Sequence, residues 1–350
     1  MIYISWYHQN APRIFGILSF IINPIFIYLV ITKSRAQMGN YKYLLVVFAI
    51  FDILYSISEI LTPIGIQGNA YGFVVFLTEG PFFEHPEIGQ HVMSNRCGFI
   101  ALSYGLLIIH FAYRYFALFQ PEKIPLFFHP IGILSAAVFL FLHAASWSLI
   151  CQQCLAGNEE VREILADDFL KEYGADSRHI PMLAAIYYGE TTSDYVKMRS
   201  WIGIFLLTVI SFYAMSVYFI LGFKIMRRIK LMQESNKLSK NSLRLQKQLF
   251  LTLIIQTCIP IFASFLPTVL SWYAPMFGID MTWWNTNVAT VALAAFPFID
   301  PVAVIYLIPS YRNALMRRRG LTVDTSSNMQ TKMTSRMNSY ANSNANSSAN

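Results

Sequence analysis

The sequence predicts an all-α membrane protein, a bundle of seven transmembrane helices with its N-terminus outside and its C-terminus cytoplasmic. Three observations carry that prediction. Seven nearly uncharged runs are each long enough for a hydrocarbon core of about 30 Å, which takes roughly 20 helical residues. Hydrophobic residues make up 55% of the 350-residue chain and charged ones 13%, against roughly 25% charged in soluble domains, so a soluble fold would have too much apolar surface to hide. Lys and Arg also collect in alternate connections, the asymmetry that sets orientation in a membrane.

The first run, residues 14–32, follows a short N-terminus without a basic segment or a small-residue cleavage site, and is expected to act as its own targeting signal. The second, 43–66, carries Asp52 and Glu59. The connection 67–91 contains the apolar stretch 71–76 between glycines, a strand or hairpin signal. Two readings stay open for it, a lid over the bundle mouth and an ordinary packed loop, with Glu79, Glu84 and Glu87 facing water. The third and fourth runs are 97–118 and 126–150. The connection 151–200 is charged, holds nine acids from Glu159 to Asp194, and predicts a short helix over 159–173. The fifth, sixth and seventh runs are 201–223, 249–272 and 288–308. Prolines 260, 267, 297 and 301 in the last two free backbone carbonyls and permit bending. Residues 1–308 thus form the helical domain, and 309–350 a tail with a short basic segment followed by a Ser- and Asn-rich stretch that reads as disordered.

With the N-terminus outside, 19 of the 26 Lys and Arg fall inside. The third inner connection alone holds eight, from Lys224 to Lys247, against the single acid Glu234, on what reads as amphipathic extensions of the flanking helices. The net charge of +7 is therefore an orientation signal with an attraction for anionic inner-leaflet lipids. No nucleic-acid footprint is present. His, Cys and carboxylates are not spaced to hold a metal, no cofactor motif occurs, and no nucleophile and base are ordered as in a hydrolase. Of the four cysteines, Cys258 is mid-span, and one bridge between Cys97 and either Cys151 or Cys154 is open.

Charges within a span are costly and mark function. Asn23, Asp52 and Asp300 fall at one depth on three helices, which predicts a shared polar cluster. It is either a hydrated switch that takes a proton or small cation, or static hydrogen-bond glue. Glu59, two turns from Asp52 on the same face, is a ligand anchor or the upper end of that chain. Arg114, between Tyr113 and Tyr115, and Arg312, after Tyr311, mark inner span ends, where snorkelling to headgroups is the plainer alternative.

Taken in order, 38–43 with 49–56, Phe111-Ala112-Tyr113-Arg114-Tyr115-Phe116-Ala117, 248–250 with 256–260, and Ile299-Asp300-Pro301 with Tyr311-Arg312 resemble the nematode serpentine chemoreceptors, class r (Str family). The resemblance covers nearly everything from the first span to Arg312. It implies a seven-helix G-protein-coupled receptor of the ciliary membrane of chemosensory neurons, binding an odorant or other small chemical and activating a heterotrimeric G protein. It also implies G-protein coupling and switch roles for Arg114, Tyr113, Asp300, Pro301, Tyr311 and Arg312. The tyrosine expected three residues after Pro301 is Val304, with Tyr306 following. A ligand pocket is expected in the outer half of the bundle, with Glu59, Ser103, Tyr104, Trp201, Phe265, Trp272, Trp284 and Asn287 as candidates by depth, although tryptophans near span ends also serve as interface anchors. The rival readings are a ligand-gated chemosensory channel, which would reverse the orientation, and an ion-coupled transporter, which would show internal repeats.

Overall fold

The computed structural model of the chain describes residues 4, 6–34, 38–235 and 240–316. The basic residues 317–319, Lys237, Arg35 and the predicted disordered tail lie outside them. Among the described residues, seven helices are long and apolar enough to cross a membrane. They are α1 (Trp6–Lys33), α2 (Tyr41–Leu61), α3 (Pro86–Phe119), α4 (Pro130–Ile150), α5 (Asp194–Glu234), α6 (Lys240–Pro260, continued through Leu266–Tyr273) and α7 (Thr290–Leu307). A short helix, Pro309–Met316, follows. The contacts divide the chain after Arg312, and the description below concerns the part up to that residue.

The exposed faces of these helices are apolar: Ile17, Ile21 and Tyr28 on α1, Phe141 and Leu142 on α4, and Phe205, Phe212 and Phe219 on α5 are all at least half exposed. Such surface suits hydrocarbon and not water. The polar side chains turn inward, and α3 is the central post, packed on α4, α5, α2 and α6. By contrast α4 is peripheral, with Trp147 its one buried side chain.

Several boundaries differ from the periodicity. The second helix stops at Leu61, five residues short, because Pro63 disfavours helix at Thr62, whose N–H closes the last turn on Ser58 O at 2.9 Å. In the third helix Pro86 occupies the first turn, where its missing N–H costs nothing, so the helix starts eleven residues before Cys97. The predicted bend in α6 is a widened turn over Ile261–Phe265 between Pro260 and Pro267. A second one, Asn285–Ala289, precedes α7. The helices α5 and α6 extend beyond the predicted spans, to Glu234 and from Lys240, with Ile225 and Ile229 buried and Leu231 exposed.

At one end of the bundle lies a sheet that the helix count alone does not anticipate. Strands β1 (Ile64–Gly68), β2 (Gly72–Leu77) and β3 (Met182–Ile186) pair antiparallel in the order β1-β2-β3, with Ile66 opposite Val75 and Phe76 opposite Met182. Asn69 makes the hairpin turn, its Oδ1 accepting from the N–H groups of Tyr71 at 3.2 Å and Gly72 at 2.9 Å. Both faces of β2 and β3 are covered, and the two-residue period divides them cleanly. Phe73, Val75, Leu183 and Ala185 face the bundle. Val74, Phe76, Met182, Ala184 and Ile186 face Val161, Leu165, Phe169 and Tyr173, from the helices Glu159–Ile164 and Ala166–Tyr173 that realise the predicted 159–173 helix. Phe76 meets the rings of Phe169 and Tyr173, both at 5.0 Å between centroids. The Tyr71 hydroxyl donates to Asp168 at 2.5 Å, and burial together with that carboxylate pushes its pKa up. Of the three glutamates expected to face water, Glu84 and Glu87 do, while Glu79 pairs with Arg13 at 2.6 Å.

Candidate functional site

The bundle-facing side of the sheet roofs a cavity of about 60 Å³. Ile64, Ile66, Phe73, Val75 and Leu183 form the roof, and Trp147, Leu207, Ser271, Trp272 and Leu293 the walls. On α3, the cavity meets Arg96, Cys97 and Ile100. The indoles of Trp147 and Trp272 lie 6.0 Å apart. Below them Tyr104 packs edge-on against Trp147 at 6.1 Å and Phe265 at 6.4 Å.

Of the residues predicted by depth, Trp272 lines this cavity, and Tyr104 and Phe265 form the layer beneath it. The others do not reach it. Ser103 donates to Ile100 O of its own helix at 2.7 Å. Trp201 faces outward, 42% exposed, against Tyr187, as an interface anchor would. Trp284 and Asn287 are absent from the lining, with the Asn287 amide donating to Trp283 O at 2.8 Å. Residue counting gives depth along an axis but not which way a side chain points, and here only the face was misjudged.

Glu59 proves to be half of a buried ion pair with Arg96, and their side chains are 4% and 3% exposed. Arg96 was not predicted, since the expected third span began one residue later. Two signals pointed to it. A buried acid requires a compensating charge, and Arg96 is eighteen residues, five full turns, from Arg114, so the two share a helix face. The four cysteines are unbridged, so the bridge left open between Cys97 and Cys151 or Cys154 is absent from the structure. Cys97 and Cys151 both line the cavity wall, and Cys154 lies against Gly203.

Half-way along the bundle the three predicted polar residues meet through α7. Because Pro301 has no N–H, the carbonyl of Pro297 is left without its helical partner. Asn23 Nδ2 donates to it at 3.0 Å, and Ser19 Oγ at 3.4 Å. Ser56 Oγ of α2 donates in turn to Ser19 Oγ at 2.8 Å. Asp300 accepts from Gln256 of α6 at 3.1 Å and interacts electrostatically with Asp52. Asn23 Oδ1, both Asp52 oxygens, Asp300 Oδ1 and Gln256 Oε1 are buried without a protein donor. Acceptors this deep are offset by protons, a cation or ordered water.

At the opposite end from the sheet, Arg114 is 2% exposed and turns into the bundle, so it does not snorkel. Its Nη2 donates to Gln246 of α6, at 2.8 Å to the side-chain Oε1 and 3.4 Å to the backbone O. Its guanidinium lies 5.5 Å from the centre of the Tyr41 ring, on which the neighbouring Tyr113 also stacks, at 5.7 Å between centroids. Tyr311 is buried and shares a 2.7 Å hydrogen bond with Ser34 at the end of α1. Arg312 lies over the exposed ring of Tyr306 at 5.6 Å, so Tyr306 faces outward and does not substitute for the tyrosine missing at Val304.

Residues 2–315 match a family model described as serpentine type 7TM GPCR chemoreceptor Srj. The chain belongs to this family. Among curated relatives, serpentine receptor class J-38 of Caenorhabditis elegans is 34% identical over 89% of this chain and 93% of its own length. G-protein coupled receptor str-217 and serpentine receptor class r-10, both of C. elegans, are each 27% identical, over 88% and 85% of this chain and 89% and 86% of their own lengths. The Srj chain is thus a chemosensory G-protein-coupled receptor and a multi-pass membrane protein, as the residue pattern implied. The matching class is J, with class r and str receptors among its relatives.

Proposed function

We propose that this Srj receptor binds a small environmental chemical in the sheet-roofed cavity and relays its presence to a heterotrimeric G protein at the Arg114 end. The observation that supports this best is that one helix, α3, carries the cavity wall at Arg96, Cys97 and Ile100 and the latch to α6 at Arg114. A ligand shifts such an equilibrium only by its preference for one packing of the helices. Release of Arg114 from Gln246, with α6 pivoting at the widened turn over Ile261–Phe265, opens the inner face. Asn23, Asp52, Asp300 and Pro301 act as the switch between the two packings, taking up a proton or sodium ion in the resting one. Tyr113, Tyr311 and Arg312 frame the G-protein side. The sheet end faces outside and the C-terminal segment the cytoplasm, in the plasma membrane and specifically the cilium of a chemosensory neuron, where volatile odorants are the expected ligands.

The test is expression of the full chain in cells with tags at both ends, an odorant screen read by cyclic nucleotide and calcium, and the Arg114→Ala variant. The expected result is an N-terminal tag accessible on intact cells, and a response that Arg114→Ala reduces at equal surface level without loss of ligand binding. A reversed topology would return the channel reading, and an undiminished response in Arg114→Ala would leave that residue a packing role.

A further inference from the structure

A groove of about 280 Å³ opens between α5 and α6 at the Arg114 end. A single water takes about 10–15 Å³ of such space, so the groove has room for a chain. Its two ends differ in kind. One end has Ile229 and Phe250 as a buried floor and Met226, Leu251 and Ile254 as exposed rims. The other is lined by Lys230, Gln233 and Lys247, with Lys247 Nζ donating across the helices to Gln233 Oε1 at 2.6 Å. The sequence spacing sets this division. Met226, Lys230 and Gln233 stand at i, i+4 and i+7 on α5, and Lys247, Leu251 and Ile254 do the same on α6, so each set shares one helix face. On α5 that face continues upward through the exposed rings of Phe219 and Phe223, within the fifth apolar run. The apolar end of the groove therefore opens onto hydrocarbon-facing surface. Lys247 precedes the sixth apolar run by two residues, which puts the polar end at headgroup level.

The charge at the polar end is unbalanced. Among the described residues neither Lys230 nor Lys247 belongs to an ion pair. Two neighbouring bases of α5 turn instead to rings of α3, Lys224 to Tyr115 at 5.8 Å and Arg228 to Phe119 at 5.4 Å. We infer that the groove binds one anionic phospholipid from the leaflet at the Arg114 end, its phosphate held by Lys230 and Lys247 and one acyl chain lying along Met226, Leu251 and Ile254. Free phosphate would leave the apolar end unused. An acidic protein segment would have to lay its backbone against hydrocarbon, where unpaired N–H and C=O groups are costly. Seated there, the lipid fastens α5 to α6 one residue from Gln246, the partner of Arg114. The inference needs neither the sheet-roofed cavity as a ligand site nor a signalling role for Arg114.

The test is titration of purified full-length receptor in detergent with dioleoyl phosphatidylglycerol or dioleoyl phosphatidylcholine, with bound lipids counted by native mass spectrometry and Tm followed in parallel. One phosphatidylglycerol should bind about tenfold or more tighter than phosphatidylcholine, since a lysine beside an anionic headgroup is worth about fivefold in affinity. Lys230→Gln and Lys247→Gln should each remove about fivefold of that preference and leave phosphatidylcholine unchanged. Lys224→Gln takes the same charge from the same helix but from the side facing Tyr115, and should change binding by less than about twofold. Ile254→Trp fills the apolar end and should weaken both lipids. These side chains are exposed, so each variant should fold, and its lipid-free Tm checks that it does. Equal binding of the two lipids overturns the proposal, and so does a Lys224→Gln loss as large as that of Lys230→Gln, which would mean diffuse attraction without a site. Unchanged affinity in Ile254→Trp overturns the placement of the chain. Displacement of the lipid by glycerol 3-phosphate would make the site one for a free anion, and displacement by an oligoglutamate peptide would make it one for an acidic protein. Either result overturns the lipid.

Discussion

Two arginines face the same way on α3, five turns apart, and both are buried, at 4% exposed for Arg96 and 2% for Arg114. Their partners differ in kind. Arg96 holds the carboxylate Glu59 beneath a three-stranded sheet with two cores, one on each side. Arg114 holds the neutral amide of Gln246 and the face of Tyr41, and Gln246 belongs to α6, the helix with a widened, proline-flanked turn. A charge matched by a charge in a dry site is hard to separate, because separation strands two ions. A charge matched by a carbonyl oxygen and a ring strands only one, and water or another acceptor can replace the partner. The ion pair at the sheet end is thus the costlier of the two to separate, and the Arg114 contact the cheaper.

The largest effect should come from stranding one ion at the sheet end. Arg96→Leu or Glu59→Leu should each destabilise the receptor by about 3–5 kcal/mol, seen as a large fall in Tm of the solubilised protein. The double replacement should recover most of the loss. If either single variant melts with the parent, the pair is hydrated and the contrast with Arg114 disappears.

The cover over that pair is the next handle. Phe76→Ala removes a buried ring wedged between Phe169 and Tyr173, with an expected cost of about 3–5 kcal/mol. Hydrogen exchange should show lost protection in β1, β2 and β3 while α3 and α7 hold theirs. Exchange that rises evenly along the chain would mean that sheet and bundle unfold as one unit and are not separately stable regions.

At the other end, the partner can be changed without disturbing the arginine. Gln246→Leu removes the side-chain acceptor, worth about 1.5–3 kcal/mol to a charged donor, and should raise basal signalling about tenfold at equal surface level. Gln246→Glu makes the Arg114 end resemble the Arg96 end and should do the reverse, lowering basal signalling and the maximal response. Equal behaviour of the two variants would show that Arg114 is no latch.

The sequence disclosed the bundle well and its polar interior in part. Seven spans, the bend of α6, the strand signal at 71–76 and the depth of Asn23, Asp52 and Asp300 all follow from hydropathy, proline and spacing, which are local quantities. The third strand does not, because Met182–Ile186 reaches β2 across more than a hundred residues and nothing local names its partner. Arg96 was hidden by a boundary. A charge beside a span end is read as lying outside, and only the extension of α3 back to Pro86 puts it in the cavity wall. The hydrogen bond from Asn23 runs to a backbone carbonyl that Pro301 frees, so the proline was visible but its consequence for a different helix was not.

The smallest effect, and the one that links the two ends, concerns Asp52. Its two oxygens lack a protein donor, and Asp300 acts on it electrostatically, so the two acids cannot both be charged without a compensating proton or cation. Asp52→Asn keeps the shape and removes the charge. Since no hydrogen bond to the Asp52 carboxylate is broken, folding and surface level should hold, and ligand potency should move by less than about tenfold, or ~1.4 kcal/mol. What should vanish is ion dependence. In the parent, replacing sodium by choline, or shifting pH at constant sodium, should change basal signalling or Tm, and in Asp52→Asn the same change should do little. If parent and variant respond alike to both ions, the mid-bundle group is fixed packing, and coupling between the cavity and Arg114 must run through α3 alone. Combining Asp52→Asn with Gln246→Leu separates these routes. Additive effects on basal signalling indicate independent elements, and a double variant no more active than Gln246→Leu alone indicates that the acid acts through the latch.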